Sequence, residues 1–392
     1  MAPEVTATST PQSVPVVSVP VNLQSLEWEE GLVDSASLPP RSALKPLPGG
    51  GTGGPVLVSN NPEVFIGNGV LFGTFNPSSA RGGGRLSLAG SSGFYIHHLN
   101  RAATAKTISI VVQNNGSSEA TLSFFGSGYN QTETGGLGLG VSPDYRVSAE
   151  WIQGQHTTRV NDVRLGPQEL RALWSKSVNP GAEVDGRFGL RVTGSLNAAV
   201  IVTDGTTPGE LATALAVDAP GDIARSGNPP PPFGREAGVY ANDTWEGTIH
   251  ALVPRGERRA GFWVNTATGS GASQTQAFPA LLSYDDSARE SVGMYGNVYD
   301  ITIALTHDNA DRDPRRVRVL FASLATAAIS RYWDGLGLVD SNPTILRHTP
   351  DAKVTLLAET DLSPGSPARV LRFRAMVPGL TSIPQAIYLE SR

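Results

Sequence analysis

Cysteine is missing from all 392 residues, which excludes disulfides, thiolate metal sites and cysteine nucleophiles. Lysine is scarce: Lys45, Lys106, Lys176 and Lys353 stand among 30 basic residues, the remainder being arginine, which favours fixed bidentate or stacked contacts. Charged residues make up 17%, low for a helical enzyme, and a net charge of −5 gives neither a nucleic-acid footprint nor a polybasic membrane patch. No apolar run reaches the ~18–20 residues of a transmembrane helix. G-x-S-x-G elbows, H-E-x-x-H pairs, Walker loops and dinucleotide fingerprints are absent too, so no cofactor is expected. What the chain has is turn chemistry and strands. Gly 44 and Pro 29 disfavour long helices, while 39% hydrophobic residues suffice for a core. The expected fold class is all-β: two antiparallel β-sandwich-like units with an extended N-terminal arm.

Four segments follow from the composition. Residues 1–54 read as a Pro/Gly-rich arm, because seven prolines between Pro11 and Pro48 prevent regular structure. Within it lies one apolar island, Leu26, Trp28, Leu32 and Val33, too isolated to fold alone. Burying Trp28 would contribute about 1.5–3 kcal/mol or more. Docking of this island on a second molecule is the favoured expectation, hence self-association, with docking on its own chain as the rival. Residues 55–222 read as a first β unit and 235–392 as a second. Between them, 223–234 carries Pro229–Pro232, a stiff polyproline spacer. Asn114-Asn115-Gly116 between two β-branched runs predicts a hairpin. The runs Ile301–Leu305 and Val317–Phe321 repeat that plan, and Leu165-Gly166-Pro167 is matched by Leu362-Ser363-Pro364, which suggests a duplicated module. Short helices are predicted at Pro167–Trp174 and Pro208–Ala216.

Candidate chemistry is thin. Alternation puts His97 and His98 on opposite faces of a strand, so the pair cannot chelate one ion; each is either a hydrogen-bonded core residue or a ligand. With Trp245 and Trp263 as stacking platforms they make a candidate ligand surface. Asn309, Asp311 and Asp313 have the alternating spacing of a calcium loop. Pro314 stands where glycine is needed and Leu320 where the distal Glu is needed, so tight calcium binding is not expected. No carboxylate pair stands out as a glycosidase dyad.

Leu44–Gly49, Ser59–Val64, Gly73–Phe75, Phe94–His98, Gly234–Val239 and Tyr295–Tyr299, taken in order, resemble a family of secreted, mainly cyanobacterial proteins with a domain of unassigned function. The resemblance implies export and carries no catalytic set. The chain lacks the charged and apolar regions of a signal peptide. Its small-residue start, Ala2 to Thr8, reads as the end left after one is removed. The expectation is an exported, non-enzymatic cell-surface or envelope protein, structural, self-assembling or adhesive, packing into an envelope layer, sheath or fibre or contacting polysaccharide. The alternatives are a carbohydrate-binding module or carbohydrate-active enzyme, and a periplasmic assembly factor offering a strand edge.

Overall fold

A computed structural model describes residues 26–34, 38–39, 41–75, 79–131, 142–222, 235–265, 276–308, 310, 312–325, 332–379, 381 and 383–392. Strands dominate, forming sheets of five, six and thirteen strands. The helices described are short: α1, Pro143–Gln153, and α2, Pro208–Ala214.

One strand, Glu183–Thr203, organises the largest sheet. At Thr193-Gly194-Ser195, within this continuous strand, Gly194 adopts φ +112°, a conformation closed to most side chains. The register against Leu88–Asn100 slips at this point, between Val192 and Leu196. Each half of the strand therefore has its own neighbours. The first half lies between Leu88–Asn100 and Ala120–Asn130. The second half lies between Gly69–Gly73 and Lys106–Asn114. Thr158–Leu165 and Leu170–Val178 flank Ala120–Asn130 and Lys106–Asn114 on their outer sides. The halves face each other as two layers. Trp174 of the second layer packs 5.0 Å from Phe188 of the first, and Ile108, Ile110 and Val112 share a buried cluster with Phe94, Leu122 and Phe124.

The C-terminal half repeats this order. Val354–Leu362, Arg315–Ser323, Gln385–Ser391 and Arg258–Asn265 pair side by side, all antiparallel. They correspond to Thr158–Leu165, Ala120–Asn130, the first half of Glu183–Thr203, and Leu88–Asn100. Opposite them, Arg369–Met376, Val298–His307 and Thr244–Val253 pair in turn. Strand length explains the one difference. Gln385–Ser391 has 7 residues where Glu183–Thr203 has 21, so nothing separates Val298–His307 from Thr244–Val253. Those two pair directly, and in parallel. Phe321 joins the layers, 5.0 Å from Trp333 and 5.6 Å from Phe373.

Local expectations needed correction. Lys106–Asn114 and Ala120–Asn130 do not form a hairpin; both pair with the long strand, one with each half. The Asn-Gly segment carries the chain from one layer to the other. Val298–His307 and Arg315–Ser323 likewise lie in different sheets. The helix expected at Pro167–Trp174 is a turn, with Gln168 at φ 62°, followed by the strand Leu170–Val178. Pairing with Lys106–Gln113 overrides the helical propensity of Leu170 to Leu173. Residues 223–234 lie outside the described residues.

The halves exchange strands. Val56–Ser59 pairs with both Leu88–Asn100 and Ala237–Tyr240, and Phe278–Ser283 follows, so the first sandwich's sheet continues into residues from beyond 234. In return, Glu29–Glu30 pairs with Arg258–Arg259, and Gly50–Thr52 with Thr244–Glu246, on the second sandwich.

Candidate functional site

The first sandwich presents an outer face with charge at every second position of one strand: Glu183, Asp185 and Arg187. Antiparallel register sets Asp185 directly opposite His97 and Arg187 opposite Tyr95. Cross-strand neighbours on one face are in contact. α1 covers this face. Ser142 caps it, its hydroxyl accepting from the Tyr145 N–H at 3.1 Å, and Pro143 opens the first turn. That capping fixes Asp144 at the positive end of the helix, against the strands. The other wall comes from the second sandwich. Val147 and Ile152 of α1 share a buried cluster with Tyr129, Val298 and Met376.

The result is a buried cluster at the seam of the two sandwiches. His97 Nδ1 lies 3.3 Å from Asp185 Oδ1, 3.6 Å from Asp144 Oδ1 and 3.7 Å from Glu183 Oε1. The Tyr95 hydroxyl donates to Asp185 Oδ1 at 2.7 Å. Tyr95, Asp144 and Asp185 are 0% exposed and His97 is 3% exposed. Among the described residues, His97, Asp144 and Asp185 are the one group of three potential ligands within mutual reach. Burial lowers the His97 pKa, but hydrogen bonding to Asp144 and Asp185 and the Glu183 charge outweigh it, and the imidazole is held well above its ordinary value. Burial, then the Asp144 charge, push the carboxyls of Glu183 and Asp185 up. The arrangement can hold a proton or a cation among its oxygens.

Arg187 continues the same face and is fully buried. Its guanidinium donates to Gly296 O and Phe188 O at 2.8 Å each and to Phe94 O at 3.3 Å, pairs with Asp243 at 2.8 Å, and lies 4.2 Å from the Trp151 ring centroid. It ties the first sandwich to residues 243 and 296 of the second half.

The residues singled out from sequence are distributed differently. His97 belongs to the seam cluster. His98, on the opposite face, is a neutral core residue: Nδ1 donates to Pro62 O at 2.8 Å, Nε2 lies 2.9 Å from Ser59 Oγ, and burial lowers its pKa to about 3. Trp245 and Trp263 are 6% and 2% exposed. Trp245 packs on Phe278, and Trp263 joins Leu44, Leu320 and Tyr388. Trp245 and Trp263 therefore lie in the core rather than as exposed stacking platforms. Within the chain, the island of Leu26, Trp28, Leu32 and Val33 lies against the second sandwich. Leu26 and Trp28 pack on the second sandwich's core, Val33 packs beside Leu44 and Trp263, and Arg259 donates to Leu32 O at 3.0 Å. Asn309 and Asp311 lie outside the described residues. Asp313 is exposed, its carbonyl accepting from His307 Nε2 at 2.8 Å.

Sequence reading missed Tyr95, Asp144, Glu183 and Asp185 as partners of His97. The signal was present in the alternating charges of an otherwise apolar strand and in the Ser-Pro-Asp start of α1.

Residues 42–135 match the family described as "Protein of unknown function (DUF3370)". The match includes Tyr95 and His97 and stops short of Asp144, Glu183 and Asp185. No curated protein matches the chain.

Proposed function

We propose that this is a non-enzymatic structural protein of the cell envelope or exterior, a stiff two-sandwich scaffold of the secreted kind. One observation carries the reading: the repeated sandwiches trade strands and meet through a buried, charged seam, which makes the chain one β body rather than hinged halves. Enzymes that close on substrates need the opposite, a mobile junction. A second reading, contact with polysaccharide, is favoured by a polar groove on the outer face of the six-stranded sheet. It is lined by Gly49, Glu246, Thr248, Asp300, Thr302 and Arg372, donors and acceptors suited to hydroxyl-rich chains.

Fractionation and surface immunolabelling of source cells test the first reading. Recovery with the envelope or medium, and labelling of intact cells, support it; confinement to the cytosol overturns it. Co-sedimentation with purified envelope polysaccharide tests the second, which requires binding that Arg372→Ala or Asp300→Asn weakens.

A further inference from the structure

We infer that the seam cluster of His97, Asp144 and Asp185 is a divalent transition-metal site that ties α1 to the strands beneath it.

Geometry is the first argument. Ligands on a tetrahedral ion with bonds of about 2.0–2.2 Å stand about 3.3–3.6 Å apart. Asp185 Oδ1 and Asp144 Oδ1 stand 3.3 and 3.6 Å from His97 Nδ1, and the three ligand atoms lie within 4.8 Å of one another. One imidazole nitrogen with carboxylate oxygens suits Zn²⁺ or Mn²⁺, whereas calcium takes oxygen ligands only and longer bonds.

Charge is the second. Three carboxylates surround a single imidazole, so even a protonated His97 leaves an excess of negative charge if all three are ionised. Buried charge of one sign is costly unless paired. Arg187, next along the strand face, is committed to Asp243 at 2.8 Å.

One observation points to an occupant rather than to a closed hydrogen-bond network. Asp185 Oδ2 is buried and accepts no hydrogen bond, although the side chain is fully enclosed. Gly379, from the loop after Arg369–Met376, lies over the cluster. A side chain there would collide at once with His97 Nδ1, Asp144 Oδ1 and Tyr95 Oη. The absence of a side chain lets the Gly379 backbone close directly over the cluster. Tyr95, donating to Asp185 Oδ1, orients that carboxylate from behind. The ligands come from two strands of the first sandwich and from α1, and the roof comes from the second. An ion here would therefore fix α1 to the strands of the first sandwich.

The test uses the full chain produced in zinc- or manganese-supplemented medium. Metal content is measured by elemental mass spectrometry, and melting is followed before and after EDTA, with calcium as the control ion. The expected result is about one equivalent of Zn²⁺ or Mn²⁺ per chain and a melting temperature that falls on chelation and recovers on re-addition. Asp185→Asn and Asp144→Asn should each lose the metal while keeping the β circular-dichroism spectrum. Asp144 lies on α1 rather than in the sheet, so its variant carries the test if Asp185→Asn fails to fold. Less than a tenth of an equivalent in the wild-type chain, with melting indifferent to metal and EDTA, would overturn the proposal. So would unchanged metal content in Asp144→Asn.

Discussion

Two buried titratable groups away from the seam give opposite pH dependences. His348 is enclosed between Ser323 Oγ, 2.7 Å from Nδ1, and Thr355 Oγ1, 2.9 Å from Nε2. Burial lowers its pKa to about 4. The unfolded chain binds a proton first, at about 6.5, so stability is complete above that pH and falls as pH drops towards 4, by on the order of 3 kcal/mol. Urea midpoints should show this acid limb, and His348→Gln should flatten it. Glu236 behaves in reverse. Burial pushes its carboxyl up to about 8, with the Ser291 hydroxyl acting in the other direction. Its stabilising proton is kept at pH 4.5 and lost as pH rises through 8. Glu236→Gln should therefore melt higher than wild type at pH 8.5, and the gap should close at pH 5. Arg187 gives the sharpest single-residue effect. Replacing it with alanine strands three carbonyls and Asp243, a loss of about 3–5 kcal/mol. None of this was legible from isolated residues. His98 and His97 look alike in sequence, and only the register of Leu88–Asn100 against Glu183–Thr203 makes one a neutral core group and the other a cluster member.

Elements were more legible than residues, where local chemistry decided them. α2 carries a capping box, Thr207 with Glu210, and a proline at its start, and it forms where expected. α1 has equally plain signals in Ser142, Pro143, Asp144 and Gly154, the last in the left-handed conformation at φ 69°. Sequence reading passed over them because the surrounding chain is strand-rich. Ser142→Ala should cost about 1 kcal/mol through the lost cap. It also removes the hydroxyl that donates to Asp334 Oδ2 at 3.0 Å. Chemical denaturation checks the magnitude; an effect within error would mean that burial alone holds α1 in place. Strand positions followed from alternation, but strand partners did not. Asn-Gly between β-branched runs is ordinarily a hairpin signal. Here the long strand Glu183–Thr203 captures both runs, and a strand far away in sequence cannot be read from a turn. The repeated Leu-x-Pro turns were a better guide. Leu165–Pro167 and Leu362–Pro364 occupy corresponding crossings between layers in the two sandwiches.

At the scale of the whole molecule, composition gave the class and two β-rich halves, and strand exchange is what it could not give. The apolar island around Trp28 shows the difference. Sequence identifies an apolar segment unable to fold alone; the three-dimensional arrangement lays it against the second sandwich of its own chain. Trp28→Ala should lower the melting temperature by a few degrees, in line with about 1.5–3 kcal/mol of lost burial, and leave the sedimentation coefficient unchanged. A shift in oligomeric state without a stability loss would restore the intermolecular version.

Strand exchange also predicts what happens when the chain is cut. A protease site introduced within residues 223–234 would sever the halves covalently while leaving every shared strand in place. Val56–Ser59 would still pair with Ala237–Tyr240, Gly50–Thr52 with Thr244–Glu246, and Arg187 with Asp243. Arg81 would still hold Asp286 through two hydrogen bonds of 2.9 Å, both side chains being under 10% exposed. These contacts are backbone ladders and enclosed ion pairs, which separate only if buried polar groups are left without partners. The two fragments should therefore co-elute in gel filtration and come apart only in denaturant. Arg187→Ala should lower the urea concentration at which they part. Each fragment expressed alone would expose an unpaired strand edge where its partner's strands belong, and should aggregate or remain unfolded. Fragments that part in native buffer, each monomeric with a cooperative melt, would show that the shared sheet is an adjacency of two independent sandwiches rather than the bond between them.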